Sequence, residues 1–242
     1  MKNILKLGIF SLAFTSFHIS NAQNNGLAYE IGVDYNAFKG KNSTNADRPN
    51  GGLSPYIGIT YRLQSAQLPI SVGLRANMFN LDLRHNNTIP LIPEGQFYYA
   101  NKLKYVQIQM PIAYNFTFQK SEISAAINPA IYINTSSQYS STLPTINNSE
   151  VLNHNTGISY ILPPKVVANV GLLVSYTYNI AKVNKQTLGL KVHASYPLLN
   201  AISSYTTYDY DVAYKSGAKI GGSTVVSDHY APLTFGVGLV LK

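Results

Sequence analysis

Chemistry in this chain would begin with a histidine and a serine that stand two residues apart. His193 and Ser195 form the sequence "HAS", and an imidazole beside a hydroxyl is the pair that a base-activated nucleophile requires. A working pair also needs an acid to orient the imidazole, and the sequence places no acid at an obvious companion position. We therefore predict no catalytic residue and no enzyme activity, and a hydrolase that uses this pair is an alternative hypothesis.

The other histidines that could bind a metal are dispersed. His85, His154 and His229 lie in different connections between the regular stretches of the chain. Asp228 precedes His229, but nothing nearby has the spacing of metal ligands. Solvated loop residues explain these side chains best, so the sequence predicts neither a metal nor a cofactor.

Apolar and polar residues alternate with a period of two in eight segments, which is the pattern of a β-strand with two different faces. In one segment, Leu190 and Val192 share the apolar face, while His193 and Ser195 share the polar face. The "HAS" pair therefore lies on the polar side of its strand. The eight segments are 27–38, 54–63, 68–79, 104–116, 122–133, 166–178, 186–197 and 232–242.

The length and composition of these segments are typical of a transmembrane β-barrel. Each segment has roughly ten residues, the length at which a tilted strand crosses a bilayer. Only 12% of the residues are charged, against about a quarter in average soluble domains. The chain also has 19 tyrosines, which favour the boundary between lipid and water. A soluble β-sandwich or a lipocalin-like barrel is the alternative fold.

Short and long connections alternate along the chain, with short ones after the second, fourth and sixth segments. Outer-membrane barrels have short periplasmic turns and longer extracellular loops. The sequence therefore predicts an all-β fold, an eight-stranded antiparallel up-and-down transmembrane β-barrel in the cell outer membrane, with both termini in the periplasm. The long connections are 39–53, 80–102, 134–165 and 198–231. In the last of them, 209–215 alternates acidic, tyrosine and apolar residues, which indicates either a strand extension above the membrane or a binding surface.

The start of the chain has the features of a secretory signal peptide. Lys2 and Lys6 precede a short apolar run, and small residues follow up to Ala22. We predict a signal peptide at 1–22 and a β-barrel domain at 23–242. The sequence contains no cysteine, so packing and barrel closure must stabilise the domain without disulfides.

The inner face of the predicted barrel carries charged and amide side chains. An eight-stranded barrel is narrow enough to be filled by side chains, so these charges must pair or form hydrogen bonds. We predict a pair between Glu30 and Arg62, and Asp34 as an acceptor for Lys191 or His193. The predicted lumen network consists of Glu30, Asp34, Arg62, Arg75, Gln107, Gln109, Lys191 and His193.

Two further features concern the wall of the barrel. Pro111 interrupts the segment 104–116 and cannot donate a ladder hydrogen bond, so we predict a bulge or a missing bond there. Aromatic residues fall on the apolar face at the periplasmic ends of the strands, which predicts a girdle at one membrane interface. The girdle residues are Tyr29, Tyr61, Tyr114, Phe116, Tyr176 and Tyr178.

Two resemblances to known families accompany these patterns. The run K-Y-V-x-I-x-M-P-I (104–112), the "NAQ" end of the signal peptide and the C-terminal "FGVGLVLK" resemble Bacteroidetes outer-membrane β-barrel proteins of the PorT-like family. That resemblance implies a small outer-membrane barrel, and the member that names the family is associated with protein secretion and gliding. The H-x-S pair is similar to that of the outer-membrane lipid A deacylases, where the pair faces lipid.

The sequence therefore favours a non-enzymatic outer-membrane barrel that acts through its extracellular loops or as a partner subunit of an assembly. Its expected contacts are outer-membrane lipid and a protein partner bound through 134–165 and 198–231. A lipid A deacylase that uses His193 and Ser195, and a small pore, are the alternatives. The formal net charge is +8, but Lys and Arg are scattered without a recognition motif, which argues against a nucleic-acid partner.

Overall fold

The computed structural model describes residues 26–42, 49, 51–63, 69–89, 92–142, 150–161, 163–183 and 186–242. The predicted signal peptide and the side chain of His85 lie outside the described residues. Within the described part, no helix is both long and apolar enough to cross a membrane.

The described residues form eleven β-strands, and every pairing between them is antiparallel. Residues that alternate in side-chain character, with many β-branched and aromatic members, favour this conformation. The strands are β1 Leu27–Asn42, β2 Gly52–Arg62, β3 Ile70–Ile89, β4 Ile92–Gln109, β5 Ile112–Phe118, β6 Ser121–Thr142, β7 Val151–Ile161, β8 Val166–Val183, β9 Gln186–Pro197, β10 Ile202–Tyr214 and β11 Lys219–Leu241.

Eight strand positions close into a ring. Seven positions are single strands, and β4 and β5 together form the eighth, because both pair with β3 and β6. The order around the ring is β1, β2, β3, β4/β5, β6, β8, β9 and β11, and β11 pairs with β1. The closing register sets Tyr29 opposite Leu241 and Tyr35 opposite Phe235. The predicted eight-stranded antiparallel barrel is therefore confirmed.

Pro111 separates β4 from β5 without shifting the register. Arg75 of β3 faces Gln109, and Val72 faces Ile112, so the same number of residues lies between these pairs on both strands. The Gly73 amide still donates to the Pro111 carbonyl at 2.8 Å, whereas the proline has no N–H with which to return a bond. The prediction of a missing bond is confirmed, and no bulge is needed.

The outer surface of the ring is apolar and the inner surface is polar. On β3, Val72, Leu74 and Met78 are exposed on the outside, while Arg75 and Asn77 are buried inside. The other strands of the ring repeat this alternation. A belt of this kind around a polar lumen is the surface of a membrane-spanning barrel. The outer residues that form this apolar belt include Ile31, Val33, Ile57, Ile59, Leu74, Met78, Ile112, Ile127, Ile131, Leu172, Val174, Leu190, Val192, Val237 and Leu239.

The long connections are mostly strands, which corrects their prediction as loops except at 209–215, where β10 agrees with the strand extension that the alternation indicates. The stretch 80–102 continues the β3–β4 hairpin, 134–165 holds the end of β6 and all of β7, and 198–231 holds β10 and half of β11. We call this part the far-end extension, and the opposite end, with the short turn at 119–120, the turn end.

The far-end extension consists of two facing sheets. One contains β3, β4 and β6, and the other contains β1, β11, β10 and β7. The ring opens because β2 pairs with β3 only as far as Asn77, and β8 pairs with β6 only as far as Ile133. Apolar side chains from both sheets fill the space between them: Phe79, Leu81, Leu83, Leu103, Tyr105, Ala130, Tyr132, Ile202 and Tyr230 in one cluster, and Tyr99, Tyr208, Val212 and Val226 in another.

The polarity of the two faces therefore exchanges along each long strand. On β3 the inner residues change from Arg75 and Asn77 to Leu81 and Leu83, while the outer residues change from apolar ones to Asp82. The same alternation of inner and outer residues thus produces a membrane barrel in the ring and a two-sheet sandwich with a polar surface in the far-end extension.

Truncating the core of the extension should cost much more stability than truncating its surface. Leu103 is fully buried and Leu152 is 70% exposed, both in the extension. We expect Leu103→Ala to lower the free energy of unfolding by about 2–5 kcal/mol because it leaves a cavity, and Leu152→Ala to change it by less than about 0.5 kcal/mol. Denaturant titration in detergent micelles followed by circular dichroism measures both, and equal losses would contradict a packed core.

Candidate functional site

A buried charged cluster crosses the lumen at the level of Asp34. His193 Nε2 lies 2.9 Å from Asp34 Oδ1 and 2.6 Å from Arg75 Nη2. Arg75 also donates to the Asp34 carboxylate, and Asn77 Nδ2 donates to Asp34 Oδ2 at 2.7 Å. Each of these side chains is nearly inaccessible to solvent, so the carboxylate is held by several donors at once, as a buried charge requires.

The register and one glycine bring Asp34 and His193 together. Asp34 is opposite Gly236, and Gly236 is opposite His193, so the three residues form one row across β1, β11 and β9. A Cβ atom at Gly236 would collide with both the Asp34 carboxylate and the His193 ring. The contact therefore depends on the absence of a side chain in the middle strand.

Tyr56 completes the cluster from β2. The Arg75 guanidinium carbon lies 3.8 Å from the centroid of the Tyr56 ring, and the ring meets His193 edge-on at 5.2 Å between centroids. An arginine over an aromatic face gains a cation–π interaction that is stronger away from water. Sequence reasoning missed Tyr56, although its alternation with Ile57 and Ile59 assigns it to the inner face.

A second charged layer lies nearer the turn end, and its pairs correct one prediction. Glu30 accepts from Lys191 at 2.6 Å and from Thr60 at 3.1 Å, whereas Arg62 pairs with Glu122. The predicted Glu30–Arg62 pair was wrong because the Arg62 amide bonds to Gly26. That register sets Arg62 four residues, or about 13 Å, along β1 from Glu30.

The lumen at the turn end contains a cavity of about 240 Å³. Its charged lining residues are Glu30, Arg62, Glu122, Lys191 and Lys242, and Lys242 Nζ lies 3.0 Å from Glu122. The Asp34 cluster and the apolar core of the extension follow above it, so the cavity is blind. Among the described residues, no three acidic, histidine or cysteine side chains are grouped to hold a metal ion.

The two predicted lumen glutamines flank the arginine. Gln109 faces Arg75 and Gln107 faces Asn77 in the β3–β4 register, and both glutamines are buried. The inner surface at this height thus carries amides and charges from four strands, β1, β3, β4 and β9, beside the Tyr56 ring of β2.

The "HAS" pair faces this packed interior and not lipid. His193 and Ser195 are each 6% exposed, and Asn128 Nδ2 donates to the Ser195 hydroxyl at 3.3 Å. The prediction of Asp34 as an acceptor for Lys191 or His193 is confirmed for His193, so the expectation that no acid accompanies this histidine was wrong. The Asp34 carboxylate and Arg75 both contact His193 Nε2, however, which leaves this nitrogen no contact with Ser195. The pair also points into the lumen, whereas a membrane lipid would lie against the outer face of the barrel.

The predicted girdle residues stand on the outer face near the turn end. Tyr61, Tyr114, Phe116, Tyr176 and Tyr178 are all between 42% and 48% exposed. Tyr29 is half-buried on the same face, and Tyr114 packs on Phe116 with 4.8 Å between ring centroids.

His154 and His229 belong to strands, which corrects their prediction as loop residues. His154 is exposed on β7, and His229 on β11 has Nδ1 2.8 Å from the Ser203 hydroxyl. Asp228 is buried and accepts from the Tyr99 hydroxyl at 3.3 Å. Burial and the neighbouring Asp228 carboxylate raise the pKa of Tyr99 above its ordinary value, so this phenol stays protonated.

Comparisons with known proteins give structural neighbours but no family. No family model and no curated protein matches the chain. The outer membrane protein OprG from Pseudomonas aeruginosa is 10% identical, with 90% of this chain and 95% of that chain covered and a TM-score of 0.42. A major outer membrane protein from Thermus thermophilus is 12% identical over 88% of this chain and 99% of that chain, also with a TM-score of 0.42.

A third neighbour is the translocator domain of the autotransporter NalP from Neisseria meningitidis. It is 11% identical over 99% of this chain and 98% of that chain, with a TM-score of 0.22. Similarity at these values transfers no residue role and no activity. The barrel assignment therefore depends on the strand pairing and the apolar belt, and the PorT-like resemblance stays a prediction.

The buried charge cluster should be far more sensitive to mutation than an exposed pair. We expect Arg75→Met to lower the free energy of unfolding by about 3–5 kcal/mol, because it leaves the Asp34 carboxylate buried without its arginine. Arg84 pairs with Asp82 near the surface at 3.1 Å, so Arg84→Met should cost at most about 1 kcal/mol. Unfolding titrations in micelles test this contrast, and the double variant Asp34→Asn/Arg75→Met should recover part of the loss.

Proposed function

We propose that this chain is an outer-membrane β-barrel whose membrane part is an anchor and whose far-end extension binds a protein partner. The apolar belt and the polar, filled lumen support a barrel that lipid surrounds. The short turns at one end and the long strands at the other support an orientation with the turn end in the periplasm and the extension outside the cell. In this orientation both described ends of the chain lie in the periplasm.

The unpaired edge of β7 carries the proposal. Among the described strands, β7 pairs with β10 and stands last in its sheet. Each of its faces carries an exposed apolar side chain, Leu152 at 70% and Ile161 at 60%, while Ile158 packs on the second apolar cluster of the extension. An exposed edge strand with apolar side chains is a template for another chain, and extended peptides commonly bind by adding a strand to such an edge.

The neighbouring edge of β6 is also unpaired in the extension. Beyond Ile133, β6 has no partner on the side of β8 among the described strands, and its Tyr139 ring stacks on Tyr160 of β7 with 5.5 Å between centroids. The unpaired edges of β6 and β7 therefore lie beside each other, one in each sheet of the extension. The PorT-like resemblance agrees with a role as a subunit of a secretion-related assembly, and an enzyme on lipid A is disfavoured by the buried position of His193 and Ser195.

Crosslinking from the edge strand should identify one partner. A photoreactive amino acid at Leu152 should give one discrete adduct in cells of the source organism, and the same amino acid at Val225 should not. Val225 is 58% exposed on β11 of the same sheet, which matches it for accessibility. Ile161→Lys should remove the adduct by placing a charge on the edge. Identical adducts from both positions, or none from Leu152, would contradict edge binding.

The pore alternative predicts a different result in planar bilayers. The Asp34–Arg75–His193 cluster and the apolar core of the extension close the lumen at two levels. We therefore expect no stepwise conductance from the reconstituted protein, in bilayers where a porin control conducts. Discrete steps that scale with protein concentration would overturn the anchor interpretation in favour of a pore.

A further inference from the structure

The apolar belt ends along one straight row on three neighbouring strands. Met78 of β3 faces Val106 of β4, and Val106 faces Ile133 of β6. The next outward row toward the far end contains Asn80, Lys104 and Ser136, and the row after it contains Asp82, Lys102 and Gln138. Lipid-facing side chains are thus replaced at once by polar and charged side chains.

The two lysines in these rows are free to bind an anion. Lys102 and Lys104 are exposed, and neither forms an ion pair with a described residue. Asp82, the acid beside them, pairs with Arg84 at 3.1 Å. Lys102, Lys104 and the Asp82–Arg84 pair together carry a net charge of +2. Lys102 and Lys104 are two residues apart on one strand face, about 7 Å along the strand.

We propose that this surface, which we call the basic patch, binds the phosphate group of an anionic membrane lipid whose acyl chains lie on the apolar belt below. It rests on the proposed membrane function, since it requires lipid around the belt. The charge is complementary to phosphate, and the hydroxyl of Ser136 and the amides of Asn80 and Gln138 supply further donors. The site continues the lipid-facing surface at the height where headgroups begin.

The geometry distinguishes this patch from the other basic residues of the extension. Lys215 and Lys219 are equally exposed but lie at the turn between β10 and β11, far along the extension from the belt. Attraction to charged headgroups falls off within a Debye length, about 8 Å at physiological salt. A pair at the belt margin therefore contacts headgroups, whereas the pair at the tip does not.

Lipid binding to charge variants tests the proposal. Native mass spectrometry of the detergent-solubilised protein with phosphatidylglycerol should show a weaker apparent affinity for Lys102→Ser/Lys104→Ser, by about 30-fold at low salt. Phosphatidylcholine should bind equally to both forms. The matched control Lys215→Ser/Lys219→Ser should keep the original affinity. Equal losses in both double variants, or no loss in the first, would overturn the proposal.

A separate measurement distinguishes failure of the basic-patch proposal from failure of the proposed membrane function. The unmodified protein should float with phosphatidylcholine vesicles after refolding, because insertion depends on the belt. Flotation with no effect of the lysines would reject the basic patch alone. Failure to float would reject the membrane barrel itself and the patch with it.

Discussion

The pairing of β11 with β1 is the interaction on which the rest of the structure depends. In lipid no water can satisfy a free strand edge, so a sheet can cross a bilayer only when it is closed. Closure of eight strands fixes which side chains enter the narrow lumen and which face outward. The row of Asp34, Gly236 and His193 exists only because this pairing and the β9–β11 pairing share one register.

Closure also explains why charges lie in the lumen while apolar side chains fill the extension. Where lipid surrounds the ring, the outer face must be apolar, and the inner face carries polar groups that satisfy one another. Beyond Met78 water surrounds the strands, so Leu81 and Leu103 turn inward and form an ordinary hydrophobic core. The same alternation of side chains therefore gives a polar lumen where lipid surrounds the strands and an apolar core where water surrounds them.

Most of the membrane part could be predicted from the sequence, because a period of two fixes faces without knowledge of the partner strands. The inner positions of Asp34 and His193 follow from this period alone, and the missing bond at Pro111 follows from the absence of an N–H on proline. The partner of Glu30 could not be predicted, because Lys191 reaches it over β11 from β9, a strand that is not the neighbour of β1. Alternation also indicated a strand at 209–215. The other strands of the extension were not predicted because their apolar face lies inside, whereas a search for lipid-facing strands assumes an apolar outer face.

The position of the belt margin limits how a partner can reach the protein. β10 begins opposite Tyr230, and Ile161 at the end of β7 faces Tyr205 of β10. On β11 the belt residues start only at Phe235, so the whole edge of β7 lies beyond the membrane-facing surface. A partner chain that adds to this edge must therefore approach from water. The proposed lipid and protein contacts therefore fall on different parts of the wall, and β6 takes part in both, through Ser136 in the basic patch and through its open edge beside β7.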